Sequence, residues 1–116
     1  MTATYDISGI RRGNTFERVF RFKDSDGDAV DLTGSVMVAS IVSGSVTIRK
    51  STADGGLLMP TPTNGEITLR LTPTETRQLE VGKLRTRYEI ERRIGGNETT
   101  ILAGCMTVTE GINNDA

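Results

Sequence analysis

The sequence predicts an all-β fold, a small antiparallel sandwich or barrel of about seven strands. Its apolar residues recur mostly with a period of two, and Asp-Gly and Asn-Gly pairs stand between the alternating stretches. No stretch has the length and period of the long helices that cover a parallel sheet. A chain of 116 residues corresponds to one domain with enough surface to bury a core. We expect this domain to span residues 13–111, between an N-terminal arm of residues 1–12 and a flexible tail of residues 112–116.

The first strand of the domain is predicted where aromatic and charged residues alternate, from Phe16 onward. Phe16, Phe20 and Phe22 share one face, and we expect that face to meet the core. The alternation is imperfect, because Arg18 falls on the apolar side and Val19 on the polar side. The segment DSDGD follows and predicts a hairpin turn.

The middle of the chain supplies the next strands. A strand is expected to begin at Val30, and the nearly continuous apolar run of residues 36–42 predicts a strand that is covered on both faces. The segment GSVTIRKS alternates again. Residues 51–65 are a turn-rich connection, in which two prolines predict a loop or a sheet edge.

The second half of the chain predicts three strands and one helical turn. The segment GEITLRLT alternates cleanly. A short helical turn is predicted near residues 73–81, with Thr72 as the N-cap, Pro73 at the first helical position and Glu75 completing a capping box. The segments KLRTRYEIERR and TTILAGCMTVTE then predict two long strands joined by the turn GGNE.

The turn DSDGD raises the question of a metal site, because Asp24, Asp26 and Asp28 match the first three ligand positions of a calcium loop. The same loop needs Gly at its sixth position and Glu at its twelfth, where this chain has Ala29 and Ser35. Asp and Gly are also the residues that a hairpin turn requires. We interpret the segment as a solvated turn, with the three aspartates as weak metal candidates.

Catalytic residues and a cofactor are not predicted. The chain contains no His, the commonest general base. The four carboxylates near the turn would all stay ionised, those of Asp24, Asp26, Asp28 and Asp31. Cys105 lies within a predicted strand beside Gly104, which indicates a small buried thiol and not a nucleophile. No phosphate-binding loop, dinucleotide fingerprint or Cys/His metal spacing is found. We expect a protein that is not an enzyme.

The charge and hydropathy patterns exclude two kinds of partner. The net charge is −1 with both signs interspersed, so we expect no nucleic acid to bind. No apolar run approaches the ~20 residues that span a bilayer, and the first residues do not read as a secretory signal, so we expect no membrane partner and synthesis in a cytoplasm. The ladder RTRYEIERR has two interpretations, a solvated strand protected against aggregation or a surface for a partner or a phosphate.

Four segments in this order resemble a known family: GNTFERVFRF, DSDGDAVDLTG, NGEITLRLTPTETRQLEVGKLRTRYEIE and TTILAGCMTVTEG. They resemble small β-rich virion proteins of phages and prophages, most closely the immunoglobulin-like N-terminal domain of baseplate upper proteins and related short tail proteins. The similarity covers residues 9–111 and departs at residues 84–87, where that class often has aromatic residues and Asp. The resemblance implies an immunoglobulin-like sandwich that serves as a building block and carries no catalytic residues.

From the resemblance we expect a non-enzymatic structural component of a bacteriophage virion, in the tail or baseplate, made in the cytoplasm of the host bacterium. Its partners would be other virion proteins and further copies of itself. A capsid decoration or head–tail joining protein is the nearest alternative. A calcium-assisted carbohydrate-binding sandwich is the alternative from another class.

Two segments are candidates for assembly contacts. The arm of residues 1–12 contains apolar residues that have no place in the predicted order of strands, so we expect it to be ordered only against a neighbouring subunit. The Pro-rich loop of residues 55–64 contains a short apolar patch. The candidate interface residues of the two segments are Tyr5, Ile7, Ile10, Leu57, Leu58 and Met59.

Overall fold

The computed structural model describes residues 3–111, apart from the side chain of Leu84, as two β-sheets packed face to face. The fold is small, all-β and sandwich-like, and the two sheets are not closed into a barrel. The strands are β1 Ala3–Thr4, β2 Ile7–Arg11, β3 Phe16–Arg21, β4 Val36–Ser43, β5 Val46–Ser51, β6 Leu57–Leu58, β7 Glu66–Leu71, β8 Gly82–Ile94 and β9 Asn97–Thr109. A 3-10 turn at Pro62–Asn64 and a short helix α1 at Pro73–Thr76 flank β7. The predicted all-β sandwich is therefore confirmed.

The larger sheet is built on the long hairpin of β8 and β9. Its order is β1-β9-β8-β4-β5, and β2 also pairs with β9. The pairs β4–β5, β4–β8 and β8–β9 are antiparallel, as the alternating sequence predicts. By contrast, β1 and β2 run parallel to β9 and cover the edge that β9 would otherwise expose.

The smaller sheet has the order β3-β7-β6 and is antiparallel. Its inward side chains meet those of the larger sheet, and the rings of Phe20 and Tyr88 lie 6.1 Å apart between centroids. Leu32, in the loop before β4, is fully buried in the same core. The largest fully buried side chains are those of Tyr88, Ile7, Ile10, Leu32, Met37, Ile41, Leu57, Ile67, Leu69, Leu71, Leu79 and Ile90.

Several expectations about single elements need correction. The strand expected at Val30 begins only at Val36, because the backbone N–H of Leu32 bonds Pro62 O at 2.9 Å and the Asp31 side chain bonds Thr33 N at 2.9 Å, which holds a loop. The expected cover on both faces of β4 is incomplete, since Val42 is 38% exposed. The helical turn near residues 73–81 is an α-helix over four residues, followed by further hydrogen-bonded turns.

The N-terminal arm also differs from its prediction. It has a place in the sheet within the same chain, beside β9, because its apolar residues complete the core and its backbone completes the sheet edge. Its parallel pairing also makes the larger sheet mixed and not purely antiparallel. The tail expected at residues 112–116 lies outside the described residues. Within residues 3–111, no helix is long and apolar enough to span a membrane.

Candidate functional site

The aspartate-rich turn is held by its own side chains and backbone. One carboxylate oxygen of Asp24 accepts the backbone N–H groups of Asp26 and Asp28 at 2.9 and 3.0 Å. Asp24 N bonds Asp28 O at 2.8 Å, and Gly27 has a φ of 83°, which glycine adopts without strain. Carboxylate oxygens of the three aspartates lie within 4.8 Å of one another, and all three residues are exposed. An exposed acidic turn of this kind is common without an ion, so the metal candidates stay a prediction.

The arm is docked by contacts that leave little room. Tyr5 N bonds Ala103 O at 3.0 Å, and a side-chain oxygen of Asp6 accepts from Cys105 N at 2.9 Å. The hydroxyl of Tyr88 donates to Tyr5 O. Gly104 lies directly beneath Tyr5, where a Cβ atom would collide with the Tyr5 carbonyl group. The arm can therefore pack this closely against β9 only because position 104 has no side chain.

The six candidate interface residues do not behave alike. Ile7, Ile10 and Leu57 are 1%, 0% and 2% exposed, so they belong to the core of this chain and offer no contact surface. Tyr5 and Leu58 are 46% and 53% exposed, so they remain available to a partner. Met59 is partly buried against the core. Of these six candidates, the arm and the Pro-rich loop thus each contribute one with a well-exposed side chain, Tyr5 and Leu58.

A groove opens between the edge strand β3 and the arm, and sequence reasoning did not predict it. Its volume is about 580 Å³, and it extends from Arg18 in β3 to Lys23 in the segment that follows β3. The opposite wall comes from Ala3 and Tyr5 of the arm and from residues 101–102 of β9. The residues that line this edge groove are Ala3, Tyr5, Arg18, Val19, Phe20, Arg21, Phe22, Lys23, Val30, Leu32, Arg92, Ile101 and Leu102.

Arg18 spans the edge groove at one end. Its guanidinium donates to the Tyr5 hydroxyl at 2.7 Å and lies 5.8 Å from the Phe16 ring centroid and 6.0 Å from the Tyr5 ring centroid. The departures of Arg18 and Val19 from the alternation of this strand are the sequence signals at this place, since both residues line the edge groove. The other three cations of the edge groove had no such signal; they lie in β3, in the segment after β3 and in β8, and are Arg21, Lys23 and Arg92.

Other candidates from the sequence do not form a reactive site in the described residues. Cys105 is partly exposed, so the expectation of a buried thiol is wrong; it lies on the face of the larger sheet beside Asp6. The ladder on β8 is partly paired, since Arg93 lies 2.5 Å from Glu91 and 3.9 Å from Glu98. Salt bridges at such exposure contribute little to stability, and the two interpretations of the ladder remain open.

Comparison with known proteins leaves the family of the chain open. No protein-family model matches the sequence, and no curated protein matches it. Among the solved structures that are similar to the chain is a protein of Bacteroides vulgatus ATCC 8482, described as a candidate glycoside hydrolase, with a TM-score of 0.49 and 16% sequence identity. The similarity covers 92% of this chain, which spans 17% of the length of that protein. A likeness of this degree carries no argument about function.

Proposed function

We propose that this chain is a non-enzymatic structural component of a bacteriophage virion, in the tail or baseplate, and that it acts through protein–protein contacts. The ordered resemblance of its four sequence segments to small virion proteins supports the place in a virion. The observation that carries the mode of action is the edge groove, an apolar cleft beside a strand with one unpaired edge. A free strand edge with an apolar cleft is a surface suited to binding another polypeptide chain.

The composition of the edge groove favours contact over catalysis. Among the described residues, its lining contains apolar residues, one tyrosine hydroxyl and four cations, and no carboxylate, serine or cysteine. These groups can bind and orient an anionic or apolar partner, but they supply no activated nucleophile paired with a base. We further propose that several copies of the chain are used in one particle, because virion parts assemble with rotational symmetry.

Immunogold electron microscopy of purified particles tests the virion role. Particles released from the strain that encodes this chain would be separated on a density gradient and labelled with antibodies against the recombinant protein. We expect label at the tail or baseplate, with a fixed copy number by quantitative mass spectrometry. Label on the head would instead favour the decoration or head–tail joining alternative. Particles that lack the protein would overturn the proposal.

A calcium titration addresses the alternative from another class. In a calcium- and carbohydrate-binding module, isothermal calorimetry would show micromolar calcium affinity that is lost in the Asp24→Asn variant. We expect no such affinity, because the loop has Ala29 and Ser35 where a calcium loop has its Gly and its bidentate Glu.

A further inference from the structure

The outer edge of β3, which lies beside the edge groove, has unpaired backbone groups. β3 is the last strand of the smaller sheet and pairs only with β7 within the described residues. Phe22 N donates to Gly65 O at 2.8 Å on the β7 side. Since the hydrogen-bonding direction alternates along a strand, the N–H and C=O groups of Glu17, Val19 and Arg21 point away from β7. This edge can therefore receive another strand.

The wall beside this edge is apolar and only partly covered. Phe22, Val30 and Ile101 line the edge groove and are partly buried hydrophobic residues packed against the core. Val19 of β3 is 38% exposed and Tyr5 of the arm is 46% exposed. An added strand would cover these side chains, and burial of apolar area is the main favourable contribution to such contacts.

The charge of the edge groove is of one sign. The whole chain has 14 basic and 15 acidic residues, yet the lining within residues 3–111 has four cations and no carboxylate. Arg92 donates to two neutral oxygens, those of the Ser35 hydroxyl and the Asp31 carbonyl group, at 2.8 and 3.0 Å. Arg21 contacts Glu66 at 2.7 Å but is 62% exposed. Charge complementarity thus favours a partner that brings carboxylates.

We propose that the edge groove binds an extended, acidic segment of a partner protein, which adds as a strand to the free edge of β3. This rests on the proposed function, since it names the kind of partner for the same surface. In such a segment apolar residues alternate with Asp or Glu, so that one side faces the apolar wall and the carboxylates meet the cations. The unpaired backbone groups of β3 favour a polypeptide over an anionic polysaccharide, which has no matching ladder of N–H and C=O groups.

A heptapeptide of the required pattern serves as the probe. The acetylated and amidated peptide TVEVEVT would be titrated into the ¹⁵N-labelled full chain, with TVKVKVT as the matched control. We expect a Kd below about 1 mM for the acidic peptide and at least ~10-fold weaker binding of the basic one. We also expect amide exchange at Glu17, Val19 and Arg21 to slow at least ~10-fold on binding, because added strands protect these groups.

Two proline variants distinguish strand addition at β3 from nonspecific binding of the peptide. Val19→Pro removes the central free N–H of β3 and leaves the bonds to β7 in place, as prolines on edge strands do. We expect it to weaken the acidic peptide at least ~10-fold. Thr47→Pro is the control on the edge strand β5, where Thr52 N bonds Met37 O and the same alternation turns Thr47 outward. It should leave binding unchanged.

A charge variant keeps the test decisive if proline unfolds the strand. Lys23 lines the edge groove, and Lys23→Glu should weaken TVEVEVT by about three- to tenfold and strengthen TVKVKVT. Circular dichroism would establish that each variant is folded.

Four results would overturn the proposal. The first is no shift with about 2 mM TVEVEVT, roughly twice the expected upper limit for Kd. The second is equal binding of both peptides, and the third is a dimer of the chain that Val19→Pro dissociates, which assigns the edge to a second copy. The fourth is a response to dextran sulfate at Arg18 and Lys23 with no slowed exchange on β3 upon peptide addition. Peptide binding by a protein that is absent from particles would support this surface and refute the virion role. A protein that is present in particles but does not bind the peptide would support the virion role and refute this binding surface.

Discussion

Gly104 is the residue on which the fit of the arm depends. A Cβ atom at this position would lie 2.7 Å from the carbonyl carbon of Tyr5, closer still to its oxygen, and 3.1 Å from a side-chain oxygen of Asp6. The atoms in the way are mostly backbone, so they cannot rotate aside as the end of a flexible side chain would. The requirement for glycine here comes from close approach of two strands and not from a positive φ.

We predict that Gly104→Ala displaces the arm around Tyr5 and lowers the free energy of unfolding by about 1–3 kcal/mol, as overpacking does. Amide exchange at Tyr5 should become faster, because its bond to Ala103 O would be strained or lost. Ser45→Ala, in the exposed turn between β4 and β5, is the control, and we expect it to change the unfolding free energy by less than about 0.5 kcal/mol. Unchanged protection of Tyr5 in Gly104→Ala would contradict the tight fit.

The docked arm also affects the titration of the Tyr88 hydroxyl, which donates a hydrogen bond to Tyr5 O. Burial, with smaller contributions from the charges of Asp6 and Tyr5, raises the pKa of Tyr88 to about 12. The ordinary value in an unfolded chain is about 10, so the unfolded state loses this proton first as the pH rises. The stability that the neutral hydroxyl contributes is therefore present below pH ~10 and falls between ~10 and ~12.

We predict that unfolding free energy decreases by on the order of 2 kcal/mol across this range, and that Tyr88→Phe removes most of the decrease. Absorbance at 295 nm offers an independent measurement, because the chain has two tyrosines. In the Tyr5→Phe variant, the tyrosinate signal of Tyr88 should rise only near pH 12. A rise centred at the ordinary value would contradict the buried hydroxyl.

At the scale of elements, the helix α1 is fixed by its first turn. Thr72 Oγ1 accepts from Glu75 N at 3.2 Å, and Glu75 Oε1 accepts from Thr72 N at 2.9 Å. Partial burial raises the pKa of Glu75, but hydrogen bonds from Lys50 and Thr72 outweigh it and hold the value below the ordinary range. The Lys50–Glu75 contact of 2.7 Å also ties α1 to β5.

Loss of the cap should be measurable by chemical denaturation. We predict that Thr72→Ala lowers the unfolding free energy by about 1 kcal/mol. Thr74→Ala is the matched control in the same turn; its side chain is exposed, and we expect a change within about 0.5 kcal/mol. Equal effects of the two substitutions would show that the capping box contributes nothing specific.

Local chemistry explains which elements could be predicted. The capping box was readable because Thr72, Pro73 and Glu75 act within one turn, and β8 and β9 were readable because one face of each meets the core. The loop at residues 30–35 was misread as a strand, since its β-branched residues do not reveal the bond between Leu32 N and Pro62 O. The edge groove could not be predicted, because it lies between β3 and the arm, and no local pattern encodes the register of the arm on β9.

At the scale of the whole molecule, the arm is the element that completes the sandwich. Ile7 lies opposite Met106 and Ile10 opposite Val108, about a hundred positions later in the chain, and both isoleucines are buried. At the end of the arm, the Arg12 guanidinium donates to Arg77 O at 2.6 Å and so attaches the arm to the segment after α1. The arm also forms one wall of the edge groove, so core stability and the proposed partner surface depend on the same segment.

We predict that Ile10→Ala lowers the unfolding free energy by about 2–5 kcal/mol, as removal of a buried isoleucine side chain does. Ile94→Ala, at a position 38% exposed, is the matched control and should cost less than about 1 kcal/mol. Equal costs for the two variants would contradict the burial of the arm.

Amide exchange in a proven monomer decides whether the arm needs a neighbour. Tyr5 N and Arg12 N each bond a β9 carbonyl group at 3.0 Å, those of Ala103 and Thr109, so we expect both amides to be protected at a concentration where sedimentation shows a single chain. Protection that appears only as the chain associates would restore the original expectation that the arm is ordered by a second subunit. Because the arm lines the edge groove, that result would also move the groove to the boundary between two copies.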